Sequence, residues 1–103
     1  EEKKIGNRIL YTLTDRGWAV VRSERIRQAP TCTRGHCIIV IFDVPETERF
    51  VRAQIRHFLK QSGFSQLQQS VWLCRKEVLH ELRDFIRESR SERWLRAFRA
   101  IDL

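Results

Sequence analysis

Residues 36–44 read His-Cys-Ile-Ile-Val-Ile-Phe-Asp-Val. The run is apolar at odd and even positions alike and rich in β-branched side chains. That is the pattern of a central strand buried on both faces. It stops at Pro45, which suits the first turn of a helix. Glu46 and Glu48 follow, where the positive end of a helix dipole would favour them. Over 46–62, Val51, Ile55, Phe58, Leu59 and Ser62 share one face at helical spacing, while Arg49, Arg52, Arg56 and Lys60 line another. Gly63 stands where helices commonly end.

Downstream, residues 64–74 read as strand, either a tight hairpin broken near Gln69 or one bulged run. Residues 76–89 are helical in pattern, with Val78, Leu79, Leu82, Phe85 and Ile86 on the apolar face and Arg83, Arg87 and Arg90 elsewhere. At the tail, Trp94, Leu95, Phe98 and Ile101 fit a helix, whereas Trp94, Phe98 and Ala100 fit one face of a strand. A strand over 97–103 is preferred, because an α+β sandwich needs it on its sheet. The resulting order predicts the α+β class and a ferredoxin-like sandwich, an antiparallel sheet with two helices on one face.

Upstream, residues 28–35 lose all periodicity and contain Pro30 and Gly35, so they read as a linker to a domain over 36–103. Arg8 to Leu13 suits a strand, with a turn signal at Gly6-Asn7. Thr14 would cap a helix carrying Trp18 and Val21, with Gly17 in its first turn.

The 103 residues allow one domain, or one domain and a fragment of another. The net charge is +7 and the pI near 10.2, which suits an anionic partner such as nucleic acid. Of 20 basic residues only Lys3, Lys4, Lys60 and Lys76 are Lys, and arginine forks match phosphate oxygens bidentately. Three cysteines, an odd count, argue against a disulfide framework and for a reducing, cytoplasmic setting. No run of about 20 apolar residues is present to span a membrane, and Glu1-Glu2-Lys3-Lys4 does not open a signal peptide.

Two motifs carry a family resemblance. The first is Ile41-Phe42-Asp43-Val44-Pro45-Glu46 ahead of a helix with Arg49 and Arg52. The second is Gly63-Phe64-Ser65-Gln66-Leu67-Gln68-Gln69-Ser70-Val71-Trp72. Together they resemble the Cas-two family of CRISPR spacer acquisition and, more closely in Phe-Asp-Val-Pro-Glu and Ser-Val-Trp, the middle domain of PaaX-type transcriptional repressors. Tyr11-Thr12-Leu13-Thr14-Asp15-Arg16-Gly17 resembles the end of a winged-helix domain, a wing strand and a closing helix over 1–27. The resemblance implies a fragment of a PaaX-like DNA-binding regulator, cut within its winged helix. This part would serve homodimerisation and effector sensing, with DNA bound by the full-length protein. The alternative it implies is a Cas-two-like metal-dependent nuclease or spacer-integration subunit.

Each candidate residue has a plainer reading beside it. Under the nuclease alternative Asp43, paired across a two-fold, resembles a Mg²⁺ site, since facing carboxylates hold hard cations. No cofactor is expected otherwise. More simply, Asp43 caps the helix that follows, and a single carboxylate makes a thin catalytic apparatus. Arg49, Arg52, Arg56 and Lys60 form a stripe suited to a phosphate backbone, or a solvated face with pairs such as Glu48–Arg52. Arg83, Arg87 and Arg90 make a second patch, diluted by Glu88 and Glu92. Cys32, His36, Cys37 and Cys74 suggest zinc only loosely, since zinc sites show tighter cysteine pairs. Phe42 and Trp72 read as core, and Trp18 and Trp94 either as interface anchors or as ordinary packing.

Overall fold

The computed structural model describes residues 2–14 and 18–101. Gly17 and the side chain of Trp18 lie outside the described residues. Helices α1 (Glu2–Thr14) and α2 (Trp18–Gln28) come first. Strand β1 (His36–Phe42) follows, then a 3-10 turn (Glu46–Glu48) running into α3 (Arg49–Gln61). A hairpin of β2 (Ser65–Gln68) and β3 (Val71–Cys74), then α4 (Leu79–Ser89) and β4 (Leu95–Ile101), complete the chain. The sheet order is β2-β3-β1-β4, with every neighbouring pair antiparallel. This is the ferredoxin-like arrangement, with β1 central as its two-sided apolar run requires.

The core lies between the sheet and α3 and α4. Ile38, Val40 and Phe42 of β1, Trp72 and Cys74 of β3, and Leu95 of β4 meet Val51, Ile55, Phe58 and Leu59 of α3 and Leu82 and Phe85 of α4. The Phe58 and Phe85 rings stack with centroids 5.6 Å apart. The turn between β2 and β3 is the two residues Gln69 and Ser70, and a bulge between Gln66 and Gln68 shifts the register. The hairpin reading of 64–74 therefore holds. At the tail the strand is present and begins at Leu95.

Both core helices end in the same wrapped geometry, in which a left-handed residue lets two amides turn back onto the last carbonyls. At α3 the residue is Gly63 (φ 90), with Phe64 N–H donating to Leu59 O at 3.0 Å. At α4 it is Arg90 (φ 51), with Ser91 N–H donating to Ile86 O at 3.1 Å. Helix α4 begins at Leu79, later than the expected 76. The chain before it is extended, because Thr31 pairs with Lys76 and Glu77 N–H donates to Pro30 O at 2.7 Å.

The N-terminal segment corrects the sequence reading. Arg8 to Leu13 is helix, so the wing strand expected there is not formed, and Thr14 is not a cap. Its hydroxyl donates to Leu10 O at 2.6 Å within α1. The physical reason is a spacing of four: Ile5, Ile9 and Leu13 stack on one side of α1 and are buried in the common core. Helix α1 packs on both α3 and α4 as an outer layer, and α2 packs on α1 and α3. Close approach needs Gly6, where a Cβ would meet Glu48 Oε1 at 2.5 Å and Val51 Cγ2 at 3.2 Å.

Candidate functional site

Asp43 follows the last residue of β1 and is exposed. Its backbone N–H donates to Trp94 O at 2.8 Å, while its carboxylate has no hydrogen bond or ion pair with a described residue. The capping reading fails. Val44 and Pro45 intervene, the 3-10 turn starts at Glu46, and the capping position is Pro45 with no side-chain bond. Asp43 instead lines an open cleft of about 440 Å³ with Pro45, Arg93 and Trp94. No group of three or more His, Cys, Asp or Glu side chains among the described residues could hold a metal ion.

Arg49, Arg52, Arg56 and Lys60 share a flank of α3 at helical spacing. Arg49 and Lys60 are exposed, and Arg52 and Arg56 are half-buried. The expected Glu48–Arg52 pair does not form, since the Glu48 carboxylate lies against Gly6 of α1. None of the four cations has an acidic partner among the described residues, and Arg52 Nε is a buried donor with no acceptor. The second patch is more neutral: Arg87 lies 3.6 Å from Asp84. Arg90 is placed by its backbone, whose carbonyl accepts from Arg8 Nη2 at 3.4 Å.

The cysteines divide between the two sides of the sheet. Cys32 and Cys74 belong to the core on the helical side, and Cys37 alternates onto the other. All three are free and buried. Beside Cys32, the Glu77 carboxylate takes a two-pronged contact from Arg99, one arm at 2.9 Å. That hydrogen-bonded pair, with a further bond from the Cys32 thiol, holds the Glu77 carboxyl down to about 2. Burial and then the bond to Glu77 push the Cys32 thiol up to about 11. Of the two readings for Trp94, ordinary packing is the one the structure shows: it is buried in the core at 7% exposure. Phe42 and Trp72 are core residues, as read.

The sequence reading passed over the far face of the sheet. Register places Ile39 beside Leu73 and Phe98, Ile41 beside Val71 and Arg96, and Cys37 beside Ala100. These side chains alternate with the core set, and the core formed with the helices includes none of them. Phe98 on that face remains 40% exposed. The signal was present in 36–44, where a strand apolar on both faces needs a cover on both.

No helix of the described residues is long and apolar enough to cross a membrane. No curated protein and no solved structure matches the chain. The family model described as the PaaX protein central Cas2-like domain matches residues 33–102. That span starts just ahead of β1 and closes at the end of β4, so it takes in the whole sheet, α3 and α4, and the chain therefore belongs to the PaaX family.

Proposed function

We propose that this chain is part of a PaaX-type transcriptional regulator, in which the sheet domain pairs two copies and receives an effector, while the full-length protein binds DNA. One observation carries the pairing: the sheet face of Ile39, Ile41, Val71, Leu73, Phe98 and Ala100, with the charge of Arg96 beside Ile41, is largely apolar and has no helix packed on it among the described residues. Apolar faces of this kind are the usual sites of association. Two antiparallel sheets stack face to face at about 10 Å with their side chains interdigitated. A second copy offers a self-complementary surface related by a two-fold. The basic stripe on α3, without an acidic partner among the described residues, lies away from that face and supports an anionic partner. Sedimentation across a concentration series tests the pairing. A dimer is expected, and Phe98→Asp should convert it to a folded monomer. A wild-type monomer throughout, or a dimer indifferent to Phe98→Asp, would sink the reading.

A second reading rests on the exposed carboxylate of Asp43, which has no partner among the described residues. One chain supplies a single carboxylate there and makes no metal site by itself, so a nuclease would need Asp43 from both copies. The check is plasmid and single-stranded DNA incubated with and without Mg²⁺. Cleavage that needs the metal and disappears in Asp43→Ala would put this reading first, and no cleavage would remove it.

A further inference from the structure

A groove of about 380 Å³ opens where the N-terminal helix pair meets α3. Its floor is apolar, formed by Leu13 of α1, Val20 of α2 and Phe58 of α3. One wall carries Gln54, His57 and Gln61, which fall on one face of α3 at helical spacing. Ser23 also lines it, but its hydroxyl is committed to Val20 O at 3.0 Å. The Gln54, His57 and Gln61 side chains form no hydrogen bond or ion pair with a described residue. Behind Leu13 and Phe58 lies a wholly apolar void of about 10 Å³, bounded by Val40, Leu82 and Leu95. A void of that size and lining stays dry, so the layer beneath the floor is apolar too.

We infer that this groove is a small-molecule site. Its volume falls in the range of ligand pockets, and an apolar floor with a few convergent polar groups is their common make-up. Its ligand class is an amphipathic carboxylic acid or amide, the apolar body on Leu13, Val20 and Phe58 and the polar end against Gln54, His57 and Gln61. Two glutamine amides and an imidazole offer donors to carbonyl or carboxylate oxygens. Among the described residues no acid lines the groove, and the protein carries a net charge of +7, which disfavours a cation. Because the walls come from both the N-terminal helices and α3, occupancy changes how those layers sit together, and binding is felt at α1 and α2. The inference rests on the effector-receiving role proposed above and gives that role a place and a chemistry.

The test is a ¹⁵N-resolved NMR titration of the intact chain with three probes of equal length, octanoate, octanamide and octylammonium. Octanoate and octanamide should give saturable shifts at Ser23, Gln54, His57 and Gln61, and octylammonium should bind at least about tenfold more weakly. Val20→Trp fills the groove from a position that is 66% exposed, so it should abolish the shifts while the β1 signals stay in place. Gln54→Ala with Gln61→Ala should weaken octanamide. Shifts centred on Phe98, equal binding of all three probes, no saturation, or binding that survives Val20→Trp would each overturn the inference. Sedimentation of the same samples separates the two ideas. A dimer without groove binding removes this site alone, and a monomer that binds octanoate removes the pairing alone.

Discussion

Arg22 reaches from α2 to α4, where its Nη2 donates to Glu88 Oε2 at 2.9 Å although the arginine side chain is only 6% exposed. Its Nη1 also donates to Glu81 O at 3.3 Å, and the guanidinium lies 5.9 Å from the centre of the Phe85 ring. With Arg8, whose Nε donates to Ser89 O at 3.1 Å, it ties the N-terminal helices to the end of α4. Both ends of the outer layer are thus held by polar contacts that a bare apolar packing would lack.

Loss of Glu88 should be worse than loss of Arg22. Glu88→Ala takes the carboxylate from a buried cation and should cost about 2–3 kcal/mol in urea unfolding. Arg22→Met removes the charge together with its burial and refills part of the apolar volume, so a cost of about 1 kcal/mol or less is expected. Equal costs would mean that the pair acts as an ordinary surface bridge.

Arg90 occupies a left-handed conformation that a side chain disfavours, while Gly63 fills the equivalent place after α3. Arg90→Gly should therefore stabilise the protein by about 1 kcal/mol. The hydrogen bond from Arg8 is kept, since it is made to the backbone. Gly63→Ala should destabilise by a similar amount. Thermal melts of the two variants should move in opposite directions by several degrees.

Glu77 should make the fold sensitive to acid. Its carboxyl is held at about 2 in the fold by Arg99 and the Cys32 thiol, against 4.5 ordinarily. The stabilisation is therefore present above about pH 4.5 and is lost as the pH falls toward 2, because the unfolded chain takes up the proton first. Glu77→Gln should flatten the acid limb of the stability curve in that window, by lowering stability at neutral pH while leaving it little changed near pH 2. An unaltered limb would show that Arg99 and Glu77 are too well solvated to couple to folding.

If the stripe on α3 meets phosphates, its cations act additively and without regard to base sequence. Removing Arg49 and Lys60 together should lower the salt dependence of duplex binding by about two counterions and weaken all sequences alike. Binding that changes for one sequence only would place these residues at base edges instead.

The sheet and its two helices were legible because three signals agreed. These were a two-sided apolar run at 36–44, helical spacing at Val51, Ile55 and Phe58, and Pro45 and Gly63 at the boundaries. The N-terminal segment was misread because Ile9, Leu10 and Tyr11 carry strand-like composition, while the deciding contacts of Ile5, Ile9 and Leu13 are with α3 and α4. Composition is local and packing is not. The groove beside α3 was hidden for the same reason: Gln54, His57 and Gln61 are unremarkable along the chain and become a set only when Leu13 and Val20 arrive opposite them. Asp43 was found, but its surroundings depend on Trp94, half a chain away.

The position of β1 in the sheet also sets the order of assembly. β2 and β3 are joined by two residues and can pair almost at once, whereas β1 must wait for β4, with residue 36 paired to residue 101 and residue 42 to residue 95. Pairings so far apart in sequence slow folding. Until β4 arrives, one edge of the most apolar strand stands open, a template for any other chain nearby. During synthesis that interval lasts until β4 has emerged, so the edge of β1 is the last in the sheet to be covered.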